Sequence, residues 1–165
     1  MNNATTSSRL AVVTGSSSGI GLAIANALLH EGWRVIGLDV AAPSITHDQF
    51  HSIALELTDG AAVTTAALAL ADVDAFVHAG GVLRVGNVGK LDHAGGELMW
   101  RIHVDAATRL ADVLIPKMTA TGKGRVVFIG SRVAGGMPGR GQYAATKSSL
   151  IALAKSWAAE VATLR

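Results

Sequence analysis

The chain has 165 residues, of which 50% are hydrophobic and 16% are charged, a composition typical of one globular domain. Its 14 lysines and arginines are dispersed and nearly balanced by 12 acidic residues, so the net charge is only +2. A nucleic-acid-binding protein would need a cluster of basic residues, and the sequence contains none. The absence of cysteine excludes disulfides and thiolate zinc sites, and the histidines show no spacing typical of metal ligands.

No stretch of the sequence reaches the roughly 18 uninterrupted apolar residues that a membrane span requires. Residues 1–8 are polar and lack the apolar segment of a secretory signal, so we expect a flexible N-terminal tail and a cytoplasmic location. Residues 9–165 are expected to form the domain.

Five short apolar runs predict buried strands, at residues 10–15, 34–39, 53–57, 75–79 and 125–130. The first helix begins at Ile20 and ends at Gly32, and its apolar face is formed by Ile20, Ile24, Ala27 and Leu28. A second helix follows a Thr58-Asp59 cap and reaches about residue 71.

Two longer helices are predicted in the second half of the chain. The first covers residues 92–118, with Pro116 disturbing its last turn, and the second covers residues 142–164. Continuous apolar strands separated by helices indicate a parallel sheet that is covered on both faces. The sequence therefore predicts a doubly wound α/β sheet of the Rossmann type, with residues 40–49 as a surface loop.

The segment TGSSSGIG (residues 14–21) follows the first strand and opens the first helix. Gly15, Gly19 and Gly21 permit a tight turn, and a helix N-terminus attracts the pyrophosphate of a dinucleotide. A glycine cluster alone is weak evidence, because any strand-to-helix turn favours glycine. A P-loop is excluded, since no Gly-Lys-Ser/Thr follows.

Asp39 ends the second strand, where a carboxylate can accept hydrogen bonds from an adenosine ribose and repel a 2′-phosphate. The sequence therefore favours NAD over NADP as the cofactor. The alternative is a solvated acid at the end of a strand.

Tyr143 is the only tyrosine in the chain, and Lys147 follows it by four residues. On a helix these two side chains share a face, and a nearby cation favours an ionised phenol that can exchange protons. Helical Tyr-x-x-x-Lys pairs are also common without any catalytic role.

The motifs together resemble the short-chain dehydrogenases/reductases, over about residue 9 to the C-terminus. TGSSSGIG resembles that family's cofactor turn, and Tyr143-Ala-Ala-Thr-Lys147 resembles its Tyr-x-x-x-Lys motif. IGSRVAGG (residues 129–136) resembles the segment that carries its catalytic serine, here Ser131.

The resemblance implies a hydride transfer between a nicotinamide and a small-molecule alcohol or carbonyl substrate. Tyr143 would be the general acid/base, Ser131 would bond the substrate oxygen, and Lys147 would hold the nicotinamide ribose. The resemblance also implies a homodimer or homotetramer formed through helices 92–118 and 142–164. Substrate identity and reaction direction stay open. The candidate cofactor contacts are Gly15, Ser17, Ser18, Gly19, Ile20, Gly21, Asp39, Glu56, Leu57, His78, Ala79, Gly80, Tyr143 and Lys147.

Several positions depart from the family pattern. His78 and Ala79 stand where asparagines are usual, and Glu56 replaces the usual aspartate beside the adenine. His103 stands where an asparagine usually holds a proton-relay water, so His103 is a candidate catalytic relay, or a packed helical residue.

The sequence also ends after the helix that carries the Tyr-x-x-x-Lys motif, where family members usually continue. We expect a fragment whose sheet edge is uncovered. The alternative to an oxidoreductase is a non-catalytic dinucleotide-binding or assembly module without a substrate cap.

Overall fold

The computed structural model describes residues 9–162, so the predicted tail at residues 1–8 and the end of the last predicted helix lie outside the described residues. Five parallel strands form one sheet in the order β3-β2-β1-β4-β5. The strands are β1 (Leu10–Thr14), β2 (Arg34–Asp39), β3 (Phe50–Ala54), β4 (Ala75–His78) and β5 (Arg125–Phe128).

Helices cover both faces of the sheet and connect the strands, except β2 and β3, which are joined by a loop. The helices are α1 (Gly19–His30), α2 (Gly60–Ala69), α3 (His93–Trp100), α4 (Ala106–Ala120) and α5 (Gly141–Ala162). A π-helical turn (Arg101–Asp105) joins α3 to α4, and a short 3₁₀-helix (Arg132–Gly135) follows β5. The predicted doubly wound Rossmann-type fold is confirmed.

Alternate residues of the strands point into two separate hydrophobic cores, one on each face of the sheet. Val12 and Phe76 point to the face covered by α2 and α4, whereas Val13 and Val77 point to the face covered by α1. β5 forms one edge of the described sheet, and its Val127 is 45% exposed. Within residues 9–162, no helix combines the length and the apolar character needed to cross a bilayer.

The predicted third strand, residues 53–57, was placed three residues too late. β3 runs from Phe50 to Ala54, where it pairs with β2, and the chain leaves the sheet before Leu55. Leu55 and Leu57 are nevertheless buried in the core, so this segment has the alternation of buried and exposed side chains that is typical of a strand.

The predicted face of α1 was wrong by one position. Ile20 is 59% exposed. The helix instead buries Gly21, Ala25 and Leu29, each of which lies one position after a residue of the predicted face. Small residues on this face let α1 lie close to the sheet.

The helix predicted at residues 92–118 is interrupted by the π-helical turn, and Pro116 lies inside α4 without ending it. The predicted N-cap of α2 is confirmed, since the Asp59 side chain accepts a hydrogen bond from Ala62 N. The segment at residues 40–49 is a mostly exposed loop, as predicted.

Candidate active site

The glycine turn between β1 and α1 depends on close contacts between backbones. Gly15 has a positive φ of 67°, and a Cβ on it would lie 2.9 Å from Gly80 Cα. A Cβ on Gly21 would overlap the Gly15 carbonyl oxygen. The N-cap residue Ser18 makes no side-chain capping bond, so the first turn of α1 keeps donors for an anion. These features fit the pyrophosphate of a dinucleotide.

Asp39 lies beside this turn at the end of β2. Its Oδ2 accepts from Ser17 N at 2.9 Å, and its Oδ1 accepts from Ala41 N at 3.0 Å. Ser44 Oγ donates to the Ser17 carbonyl at 2.8 Å, which ties the loop after β2 to the glycine turn. The carboxylate is thus oriented by main-chain donors, in a position that fits an adenosine ribose.

The two predicted cofactor contacts that follow β3, Leu57 and Glu56, differ in burial. Leu57 is buried and packs toward Gly80, because a Cβ on Gly80 would lie 2.6 Å from Leu57 Cδ1. The Glu56 side chain is exposed and accepts from Thr58 N at 3.0 Å, so it stabilises the local turn. Ser18 and Ile20 are also exposed on the rim of the glycine turn.

His78 ends β4 and is fully enclosed, with 1% of its surface exposed. Its Nε2 lies 3.1 Å from the Ile102 carbonyl oxygen, which can only accept, so Nε2 carries the proton. Its Nδ1 therefore accepts from Thr14 Oγ1 at 2.9 Å, and that hydroxyl in turn accepts from Ala79 N and Gly80 N. Burial and, to a lesser degree, Lys147 lower the pKa of His78 to about 3.

His103 projects from the π-helical turn and has no exposed surface. Its Nε2 accepts from Val82 N at 3.0 Å, and its Nδ1 lies 2.8 Å from Thr146 Oγ1. The imidazole and the Tyr143 ring are nearly perpendicular, with their centroids 5.6 Å apart. Burial and the charge of Lys147 lower the pKa of His103 to about 4, so the ring is neutral near pH 7.

Tyr143 and Lys147 share a face at the start of α5. The Lys147 ammonium lies 5.8 Å from the centre of the Tyr143 ring and donates to the Ile129 carbonyl at 2.8 Å. Burial lowers the pKa of Lys147. Among residues 9–162, no carboxylate lies within ion-pair distance of this ammonium.

Ser131 follows Ile129 by two residues, so the Lys147 bond draws the serine segment toward α5. The Ser131 side chain is half-buried, and its Oγ accepts from Val133 N at 3.3 Å at the start of the 3₁₀-helix. A hydroxyl in this position keeps its own proton available for donation to another oxygen.

The structure thus brings most of the sequence-predicted residues to the carboxyl ends of β1, β2, β4 and β5. Glu56 is the exception, because it lies on the exposed turn before α2. Thr14 and Thr146 were missed, although both bond a buried histidine. A signal existed, since a histidine placed in an apolar strand or helix needs polar partners nearby.

The comparisons agree with this geometry. The family model described as short chain dehydrogenase matches residues 9–165. The chain is 32% identical to the 2-dehydro-3-deoxy-L-rhamnonate dehydrogenase (NAD(+)) of Sphingomonas sp. strain SKA58, over 93% of this chain and 66% of that protein. It is 28% identical to the 2-keto-3-deoxy-L-fuconate dehydrogenase of Xanthomonas campestris pv. campestris, over 90% of this chain and 52% of that protein.

The solved structure of a short-chain dehydrogenase from Streptomyces avermitilis superposes with a TM-score of 0.86 at 32% identity, covering 96% of this chain and 62% of the other. The chain therefore spans between about half and two thirds of the length of these relatives. The family match covers all but the first eight residues, and the chain belongs to the short-chain dehydrogenase family.

Proposed function

We propose that the protein is an NAD-dependent oxidoreductase that interconverts a small-molecule alcohol and a carbonyl compound, with residues 9–165 as its dinucleotide-binding domain. The observation that carries the proposal is the Tyr143–Lys147 pair on α5, beside the serine segment and the loop after β4. Family membership supports the reaction class, because the curated relatives named above are dehydrogenases.

Each side chain of the site has a separate task in this proposal. Tyr143 exchanges a proton with the substrate oxygen, and Ser131 donates a hydrogen bond to that oxygen as negative charge develops. Lys147 supplies a positive charge that is buried and lacks a carboxylate partner within residues 9–162, so it is available to ribose hydroxyls and to the phenol. A bound nicotinamide supplies or accepts the hydride.

Asp39 supports NAD over NADP. Its carboxylate is held beside the glycine turn by two main-chain donors, where a 2′-phosphate would meet like charge. The relative from Sphingomonas carries NAD(+) in its name. Asp39→Asn keeps the shape of the side chain and removes its charge. We therefore expect this variant to have a smaller ratio of NAD affinity to NADP affinity in a binding titration.

The test of the reaction is a matched pair of measurements on the intact protein and on Tyr143→Phe, which removes only the hydroxyl. NADH binding is followed by fluorescence, and turnover is followed with a panel of hydroxy acids and sugar acids. The variant should bind NADH as the wild type does and lose about 10²- to 10⁴-fold in kcat. Unchanged turnover in Tyr143→Phe would contradict the assignment of the acid/base.

A second candidate function is a dinucleotide-binding module without catalysis. The glycine turn and Asp39, which fit a dinucleotide, are formed without Tyr143 or Ser131, so binding does not by itself require turnover. NADH binding with no turnover on any substrate of the panel would support this module.

We also propose self-association through the helices at residues 92–118 and 142–164. Ile151 on α5 is 44% exposed, which leaves an apolar side chain for such a contact. Ile151 is more accessible than its neighbour Leu150, which is buried, and than Trp157, whose ring centroid lies 6.0 Å from that of Phe128. Light scattering of the wild type and of Ile151→Glu tests this contact.

A further inference from the structure

His103 joins three segments of the site that are distant in sequence. It projects from the π-helical turn, its Nε2 accepts from Val82 N in the loop after β4, and its Nδ1 bonds Thr146 Oγ1 on α5. A Cβ on Gly81 would lie 3.0 Å from His103 Nε2 and 3.7 Å from Lys147 Nζ. The imidazole and the ammonium therefore lie close to one point beneath this loop.

The bonds of His103 determine where its proton is. Val82 N–H can only donate, so Nε2 is the acceptor and Nδ1 carries the hydrogen. Nδ1–H then donates to Thr146 Oγ1, and the Thr146 hydroxyl donates to the Tyr143 carbonyl at 2.8 Å. Both nitrogens are thus used by protein groups, and the neutral ring has no free nitrogen with which to hold a relay water.

The π-helical turn that carries His103 is tied to the sheet by a hydrogen bond. The Ile102 carbonyl in this turn accepts from His78 Nε2–H at 3.1 Å, and His78 is bonded through Thr14 to the main chain of the loop at residues 79–80. His78 therefore anchors the turn from which His103 reaches α5.

We propose that His103 and Thr146 are positioning residues for Tyr143, and that His103 does not relay protons. The inference rests on the proposed function, because it assigns a task only if Tyr143 is the acid/base. The His103 ring packs nearly perpendicular to the phenol ring, while Thr146 bonds the Tyr143 carbonyl in the first turn of α5. Lys147 lies near the same phenol ring. Losing the His103–Thr146 bond would let the phenol move relative to that ammonium.

Four variants separate positioning from relay. Thr146→Val removes the hydroxyl at constant shape, and Thr146→Ser restores it. His103→Gln keeps an acceptor for Val82 N but loses the donor to Thr146, and the fourth variant combines His103→Gln with Thr146→Val. Positioning predicts that each of the two single losses lowers kcat by about tenfold, because small displacements of a catalytic group are costly.

Positioning also predicts three further results. The double variant should be no slower than the worse single variant, since both changes break one linkage. Thr146→Ser should retain wild-type kcat, and the shape of the rate profile between about pH 6 and pH 9 should stay the same in His103→Gln. Two results together would overturn the proposal in favour of a relay. Thr146→Val would keep the wild-type kcat, and the pH–rate profile of His103→Gln would lose one of its limbs.

A second readout does not depend on turnover. Tyr143 is the only tyrosine of the chain, so its ring resonances in an NMR spectrum report its environment without overlap from another tyrosine. Positioning predicts that Thr146→Val and His103→Gln shift these resonances while Thr146→Ser leaves them in place. Unshifted resonances in both of the first two variants would overturn the inference. If the wild type binds NADH without turnover, the proposed function fails while this readout still tests the positioning.

Discussion

Acid should destabilise this domain through its two buried histidines. The folded state keeps His78 and His103 neutral, with pKa values lowered to about 3 and about 4, whereas an unfolded histidine titrates near 6.5. The unfolded chain therefore binds more protons as the pH falls below about 6.5. The stabilisation is complete above that pH and is lost progressively as the pH falls toward the two folded-state pKa values.

The expected magnitude is large for a domain of this size. Between about pH 7.5 and about pH 5, each histidine should lower the free energy of unfolding by about 2 kcal/mol. The two together should cost about 4 kcal/mol, compared with about 5–15 kcal/mol for the whole stability of a typical domain. The main cause is burial, since both side chains are at most 1% exposed.

The assay is urea unfolding followed by tryptophan fluorescence at a series of pH values. His103→Gln and His78→Gln each remove one titrating group while keeping one hydrogen-bonding atom in place. Each should reduce the slope of stability against pH by about 1.4 kcal/mol per pH unit below about pH 6, and the double variant should remove both contributions. His51→Gln changes a histidine of β3 whose side chain is exposed, so it is the control and should keep the wild-type slope. An unchanged slope in the double variant would refute the reasoning.

Two further predictions concern stability. Lys117→Met should lower the free energy of unfolding by about 1–3 kcal/mol, measured in urea, because the Lys117 ammonium donates to three carbonyls at the end of α2 at 2.6–3.3 Å; an unchanged midpoint would contradict this. Gly21→Ala should destabilise by more than about 3 kcal/mol and abolish NADH binding, since its Cβ would overlap the Gly15 carbonyl. Gly141→Ala, where a Cβ meets nothing within 4 Å, is the matched control and should unfold like the wild type.

The order of strands and helices could be predicted from the sequence because each buried strand is a short apolar run between polar turns. The end of β3 could not be placed, since Leu55 and Leu57 remain buried after the chain leaves the sheet. Periodicity reports which side chains point inward, and an extended loop that packs on the core has the same alternation as a strand.

The face of α1 shows a different limit. Large apolar residues suggested that Ile20 points inward, but the helix approaches the sheet through Gly21 and Ala25. Close packing against a glycine turn selects small side chains, and hydrophobicity alone does not show how near two backbones come.

The pairing of Tyr143 with Lys147 was predicted from the sequence, whereas the residues that support the pair were not, and the catalytic roles stay predictions. Tyr143 and Lys147 were identified from their spacing on a helix, and the structure brings them together. The π-helical turn was not predicted, and the side chain that bonds its Ile102 carbonyl is His78, which lies 24 residues earlier in the sequence. Thr146 was read only as part of the Tyr-x-x-x-Lys spacing, although its hydroxyl bonds His103.

The charge states of Lys147, His103 and His78 depend on one another. Lys147 carries a buried positive charge whose hydrogen-bond acceptor is the neutral Ile129 carbonyl. A second positive charge on His103 or His78 would be repelled by that ammonium, which is why Lys147 contributes to the lowered pKa of each ring. The site can then keep one cation beside its phenol only if both imidazoles stay neutral. Two neutral rings bonded at both nitrogens satisfy this condition and still fix the loop after β4 to α5. In the proposed reaction, negative charge that develops on a substrate oxygen would be stabilised by the Lys147 cation.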